Sequence, residues 1–305
     1  MRRATWLLIV SMSAACNRRE PEAEEAPAAS APAAVPAPSD NAETAEEFPG
    51  PAARAAAEAR AAEGRGHASA VRYAVFGVRP GDVLNVREEP DPKSAQVQAF
   101  LWNARDVLGT GRSEQRKSEL WVEVTAGAKS GWVNRAFLVE QGGGCDDPRI
   151  AGLAHKFAAA VRAKDGKALE SLASPLRGLQ VRHEAWNPTL RFKGDALSGI
   201  FSSRGALKWG QADGSGDPIV GSFSDVALPS LQKVLQPQAQ RACGKVLAEG
   251  SAGSIEWPLE LASMTLFSFH KPSSEGMDWI TWVAGIEYVE QKPYIAMLIQ
   301  YHWEI

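Results

Sequence analysis

The apolar positions of this chain fall into two rhythms. Between residues 72 and 140 they come in short runs, at 73–78, 83–87, 97–101, 105–110, 119–125 and 130–133. Several runs alternate with polar positions, as a half-exposed strand does. Turn formers divide them: Arg79-Pro80-Gly81-Asp82, Glu89-Pro90-Asp91-Pro92, Gly109-Thr110-Gly111 and Ala126-Gly127. Short strands so closely punctuated predict a small antiparallel barrel. From residue 145 the rhythm changes. Asp147 stands as an N-cap with Pro148 at the first helical position, and Ile150, Leu153, Phe157 and Val161 follow at helical spacing as far as Asp165-Gly166. A second short helix over 167–173 presents Leu169 and Leu172. Strand-like pieces begin near Leu179. Helices are predicted over 195–201 and 225–240, with Pro229 and Pro237 cutting into the second. At the end, Trp279 to Val289 and Tyr294 to Ile305 read as a hairpin turning at Glu290-Gln291-Lys292-Pro293. Strand alternation puts Ile295, Met297, Ile299, Tyr301, Trp303 and Ile305 on one face of the last strand, and Gln300, His302 and Glu304 on the other. The fold class is therefore multi-domain: an all-β small barrel over 72–140, then an α+β domain over 145–305, joined by a flexible Gly142-Gly143-Gly144.

The segment ahead of the barrel has no such rhythm. Residues 17–70 are rich in Ala, Pro and Glu, with Val35 and Phe48 as the larger apolar side chains. They cannot bury enough surface to offset ordering entropy, so 16–70 is expected to be a disordered linker, with a root-mean-square reach of about 40 Å. Before it, Arg2 and Arg3 precede an apolar core of Trp6 to Val10 and the small residues Ser13-Ala14-Ala15. That is the pattern of a secretory signal over 1–15, too short to span a membrane. Cys16, directly after the small residues, resembles the lipobox of bacterial lipoproteins, in which the cysteine is lipidated and becomes the mature N-terminus. The resemblance implies a membrane partner through the N-terminal lipid. Since Asn17 stands where an Asp often retains such proteins at the inner membrane, it implies the outer membrane, facing the periplasm. A plain signal peptide cut nearby is the other reading.

The barrel segment carries a second resemblance. Gly81-Asp82-Val83-Leu84-Asn85-Val86-Arg87-Glu88-Glu89-Pro90, then Trp121-Val122-Glu123-Val124, then Gly131-Trp132-Val133, are similar to the bacterial SH3-like domain. That resemblance implies a binding or scaffolding module on an exported envelope protein, with peptidoglycan or an envelope protein as partner. Tyr73, Asn85, Arg87, Trp102, Trp121 and Trp132 are the candidate ligand-binding residues: rings supply contact area at low entropy cost, while Asn and Arg supply directed donors. Structural roles compete with this. Trp121 and Trp132 could complete the small core, and Arg87 could brace the Pro turn; Trp102, between strands, is the ring expected to be exposed. In the C-terminal part, two leading helices followed by long final strands resemble nuclear-transport-factor-2-like (cystatin-like) folds, around a core rich in Trp186, Trp209, Trp257, Trp279, Trp282 and Trp303.

Composition narrows the classes. The 305 residues carry a net charge of −3, which gives no electrostatic case for nucleic acid. Three cysteines, one of them Cys16, leave Cys145 and Cys243 to pair in an oxidising compartment. Such a bond closes a loop of roughly 100 residues and contributes at most about 4.7 kcal/mol in the chain-entropy model. Two free thiols are the alternative. The sequence holds no Gly-x-Ser-x-Gly elbow, no phosphate-cradling or dinucleotide glycine motif, no Cys-x-x-Cys and no His-Glu-x-x-His. No catalytic or metal-binding residue and no cofactor is therefore assigned, and Asp213-Gly214-Ser215-Gly216-Asp217 reads as a turn. Two polar groups remain. His183-Glu184 sits beside Trp186 at a strand end. Glu287, Gln300, His302 and Glu304 could line one concave sheet surface with Trp279 as a candidate pocket, or form the solvated face of a hairpin. The function these features imply is a non-catalytic, outer-membrane-anchored lipoprotein binding cell wall or a partner protein. A cell-wall hydrolase targeted by its SH3-like module, or an assembly component, are the competing readings.

Overall fold

A computed structural model describes residues 71–249, 255–274 and 278–302. The signal peptide, Cys16, the linker, Trp303 and Glu304 lie outside the described residues. Seven strands come first: β1 (Arg72–Val75), β2 (Val83–Arg87), β3 (Gln96–Leu101), β4 (Val107–Arg116), β5 (Glu119–Ala126), β6 (Lys129–Asn134) and β7 (Leu138–Glu140). After a 3-10 turn at Gly144–Asp146 come α1 (Pro148–Ala163), α2 (Gly166–Leu172), β8 (Leu179–Arg182), β9 (Leu190–Phe192), α3 (Asp195–Ser198), β10 (Leu207–Gln211), β11 (Pro218–Gly221), α4 (Phe223–Val226), α5 (Leu228–Val234), β12 (Gln240–Cys243), β13 (Thr265–Lys271), β14 (Ile280–Val289) and β15 (Lys292–His302). The molecule is thus β-rich with five α-helices among the described residues. None of these helices is long and apolar enough to cross a membrane.

One mixed sheet runs through the described chain in the order β3-β2-β6-β5-β4-β1-β7-β14-β15-β8-β9, with β13 on β14 and β12 on β13. Its pairings are antiparallel except β15 with β8, and β10 and β11 form a separate hairpin. The two halves are continuous: Tyr288 of β14 pairs with Glu140 of β7, and both halves fall in one compact unit. The glycine joint is packed rather than loose. A Cβ on Gly142 would lie 2.4 Å from the Tyr288 ring, and the Gln141 N–H donates to the Arg72 carbonyl at 2.8 Å.

Buried polar groups seal this seam. Arg177, between α2 and β8, donates from Nε to Glu287 of β14 at 2.8 Å and from its terminal nitrogens to the carbonyls of Ala136 and Leu138 at 2.6 and 2.7 Å. Its guanidinium lies 4.2 Å from the centre of the Phe76 ring. Ser174 donates to the other oxygen of Glu287, a fully buried side chain. Nearby, Arg135 pairs with Glu140 at 3.1 Å. Charges this deep must be matched, since an unpaired one would cost several kcal/mol.

The predicted strands and first helices are present, and the differences have local causes. Gly109-Thr110-Gly111 is not a turn but an irregularity inside β4, where the register with β5 shifts between Gly109 and Ser113; a Cβ on Gly109 would meet Tyr73 at 2.9 Å. Asp147 caps α1 by accepting from the Arg149 N–H, and Ile150, Leu153, Phe157 and Val161 are buried as spaced. The predicted helix over 225–240 is two short pieces, with Pro229 in the first turn of α5 rather than interrupting it. Asp213 to Asp217 turns between β10 and β11, as read. The final hairpin turns on two residues, Glu290 and Gln291, both at positive φ.

The last strand corrects its predicted alternation. Gly285 pairs with Met297 but Ile286 pairs with Ile295, so β15 bulges at Ala296. Ile295 consequently joins Leu298, Trp282, Ala284 and Phe157 in the helix-covered core, whereas Met297, Ile299 and Tyr301 pack on the other face with Phe76, Val139 and Trp279. Both faces are buried, which no single alternating pattern can signal. The tryptophans are also unequal. Trp209, Trp279 and Trp282 are fully buried, but Trp186 is 56% exposed and not a core residue.

Candidate functional site

Strand alternation builds a groove on the outer face of β2, β6 and β5. On β2, Leu84 and Val86 enter the core, so Asn85 and Arg87 project the other way. On β5, Val122 and Val124 are core residues and Trp121 takes the opposite face. Cross-strand pairing of Trp121 with Asn134 adds that side chain to the row. The result is a depression of about 480 Å³ lined by Asn85, Arg87, Trp121 and Asn134, with the part-exposed Val83 and Phe137 on its wall. A second depression, about 640 Å³, continues past the Pro90–Pro92 turn and shares Pro92, Glu119 and Trp121 with the first.

Trp121 is the unusual member. It points away from the core yet is only 4% exposed, and its indole N–H has no acceptor among the described residues. A buried donor without a partner costs about 1–3 kcal/mol. Arg87 lines the groove and also donates to the Ser94 carbonyl at 3.0 Å, so it braces the Pro turn from the groove wall. The lining carries both signs, Arg79 and Arg87 with Asp82 and Glu119.

The other three candidates of this segment lie elsewhere. Tyr73 belongs to the apolar core of the β1–β7 segment with Arg135 over its ring at 5.0 Å, and burial pushes its phenol up. Trp132 shares the outer face, being paired with Arg87, but Arg112 covers its ring at 5.4 Å. Trp102, the ring expected to be exposed, is half-buried against the core.

The C-terminal candidates divide. Glu287 lies on the opposite sheet face from Gln300, tied to Arg177 and Ser174, so the proposed single surface of Glu287, Gln300 and His302 does not form. The Ala296 bulge and the two-sided burial of the sheet are the reason. Gln300 and His302 do line a common cavity of about 470 Å³ with His183, Lys233, Lys271 and Trp279. Behind it, the buried Glu184 accepts from His302 Nε2 at 2.7 Å, and His183 Nδ1 approaches the same oxygen at 3.1 Å. Burial pushes the Glu184 carboxyl up, but the two histidines outweigh it and hold it below the ordinary glutamate value. No cluster of three metal-ligating side chains suited to an ion occurs among the described residues. Lys233 and Lys271 were not identifiable from the sequence; they reach this wall from α5 and β13, and no local motif marks them.

Cys145 and Cys243 are bonded, joining the turn before α1 to β12. The chain matches no protein-family model, no curated protein and no solved structure.

Proposed function

We propose that this protein is a non-catalytic lipoprotein of the bacterial envelope, held at the outer membrane by lipid on Cys16. Its β1–β7 segment is an SH3-like module that binds a peptide of the cell wall or of an envelope protein. The observation that carries this reading is the buried, acceptorless indole N–H of Trp121 at the groove shared by Asn85 and Arg87. A lining with both cationic and anionic groups suits a ligand that carries a carboxylate and an amine together, as a peptide does. The Leu84-Asn85-Val86-Arg87 run that supports the family resemblance is the strand that presents these groups. The linker lifts the module off the membrane toward the wall.

Co-sedimentation with purified peptidoglycan tests it. Wild-type protein should pellet with the wall material, and Trp121→Phe or Asn85→Ala should pellet at least several-fold less while keeping the wild-type thermal midpoint within a few degrees. No retention of folded wild-type protein removes the wall-binding reading and leaves a protein partner, sought by crosslinking in intact cells. Lysis zones in a peptidoglycan gel would replace the binder with a hydrolase. Cys16→Ser should move the protein out of the membrane fraction; retention there would refute the anchor.

A further inference from the structure

After β12 the chain crosses the hairpin of β13 and β14 on the sheet face that carries Trp279. The Cys145–Cys243 bond fixes the start of this crossing, and the Gly244 N–H donates to the Leu266 carbonyl at 2.9 Å. Three contacts at alternate residues then tie 245–249 to the sheet as a strap. Ser268 Oγ donates to the Lys245 carbonyl, Thr281 Oγ1 donates to the Leu247 carbonyl at 2.7 Å, and the Glu249 carboxylate lies 3.0 Å from His270 Nε2. Ser268 and Thr281 are fully buried, and His270 is 2% exposed. Val246 packs against the cluster of Trp279, Val283 and Tyr301.

One proton couples two of these ties. Thr281 has a single hydroxyl proton, and His270 Nδ1 lies 2.7 Å from the hydroxyl oxygen. With that proton on the Leu247 carbonyl, the hydroxyl can only accept from Nδ1, so Nδ1 carries a proton. Nε2 faces a carboxylate, so it carries one as well. The imidazolium is therefore the form that satisfies Leu247, Thr281 and Glu249 together. Neutral His270 keeps its remaining proton on Nε2, because a hydrogen bond to a carboxylate is the stronger one. Its Nδ1 then becomes an acceptor, the Thr281 hydroxyl rotates to donate to it, and the Leu247 carbonyl loses its donor.

The groups that face this cluster fit the charged form. Glu249 also accepts from the Ser273 N–H at 2.9 Å, and that bond, followed by the His270 contact, holds its carboxyl below the ordinary glutamate value. Lys271, beside His270 on β13, pairs with Asp278 at 2.7 Å. Protonated His270 thus leaves two cations against two carboxylates. Gln240 of β12 pairs in register with His270 and is uncharged. Tyr301 of β15 pairs with Thr281, and burial raises its phenol, which stays neutral. The Trp279 ring completes the surroundings at 6.1 Å from the imidazole.

We propose that His270 is a proton-operated latch: the imidazolium holds residues 245–249 to the sheet through Thr281 and Glu249 at once, and loss of its proton releases the Leu247 tie. The strap is closed at acid pH and loosens as pH rises through the histidine range, about pH 5 to 8.

Nuclear magnetic resonance titration of the purified full-length protein over that range tests this, with ¹⁵N in the histidine rings and ¹³C in the leucine methyl groups. His270→Asn and Leu247→Met assign the two sets of signals by their loss. Both ring nitrogens of His270 should be protonated at the acid end, Nδ1 should be the one that gives up its proton, and the Leu247 methyl signals should shift with the same midpoint. Thr281→Ser keeps the hydroxyl and should keep this coupling. Thr281→Val removes it and should reduce the Leu247 shift several-fold. A His270 ring that does not titrate in this range, a ring that deprotonates at Nε2, wild-type Leu247 signals that ignore the His270 midpoint, or an equally large Leu247 shift in Thr281→Val would each overturn the proposal.

Discussion

Replacing Arg177 with Met interrogates the seam between the two halves. The substitution keeps the length and apolar stem of the side chain but removes the guanidinium that reaches Glu287, Ala136 and Leu138. Leu138 retains Arg135 as a donor, and Ala136 is exposed enough to be hydrated. Glu287 is left fully buried with Ser174 as its hydrogen-bond donor. Breaking one partner of a buried ion pair costs about 3–5 kcal/mol, because the other charge stays uncompensated. Replacing both partners by apolar groups is often near neutral. So Arg177→Met should lower the unfolding free energy by about 3–5 kcal/mol, whereas Arg177→Met with Glu287→Met should recover most of that loss. Urea unfolding with the disulfide intact, followed by tryptophan fluorescence and far-UV circular dichroism, measures it. Because the sheet is continuous through Tyr288 and Glu140, the wild-type transitions should coincide. A loss below about 1 kcal/mol for the single variant, set against the buried-pair magnitude, would refute the reasoning. So would a double variant as unstable as the single one.

Three other outcomes follow from single features. With Cys16 replaced by Ser, the denatured, unreduced protein should show no reactive thiol, and reduction should lower stability by at most about 4.7 kcal/mol; two thiols per chain would contradict the Cys145–Cys243 bond. Glu184 binds its proton less readily when folded than when unfolded, so its stabilisation is present above the ordinary glutamate value and is lost as pH falls through the lower folded value. Glu184→Gln should therefore flatten the acid limb of a stability–pH profile below the ordinary glutamate range; an unchanged limb would show that the histidines do not hold the carboxylate. Gln291 sits at φ 61°, where glycine is unstrained, and its backbone bonds to Glu140 and Arg149 do not need the side chain. Gln291→Gly should raise stability by about 1 kcal/mol in the same urea assay, and a loss would contradict the turn geometry.

Local chemistry was legible in the sequence, and distant chemistry was not. Asp147-Pro148 announces the start of α1 because capping and proline placement act within one turn, and Asn85 and Arg87 share a face of β2 because strand alternation is local, whereas pairing through β6 brings Trp121 of β5 to the same face. The Ala296 bulge defeated the same rule, since one extra residue reverses every side chain after it. Glu287 looked like a pocket residue because its partner Arg177 lies 110 positions away. Lys233 and Lys271 meet at one wall through the packing of α5 against the sheet, which leaves no trace in the spacing of either residue. Gly109 and Gly111 carried a correct signal of irregularity, but glycine marks a bulge as readily as a turn.

The account depends most on the Trp121 groove being a peptide site. The direct measurement is the ¹⁵N indole resonance of Trp121, assigned by its loss in Trp121→Phe, during titration with soluble wall-derived muropeptides. The account predicts that this N–H signal moves downfield and saturates as its missing acceptor arrives, while the indole signals of Trp209 and Trp282, both already bonded within the protein, stay in place. A Trp121 signal that stays fixed while muropeptide binds, or while sacculi still retain the protein, would contradict it.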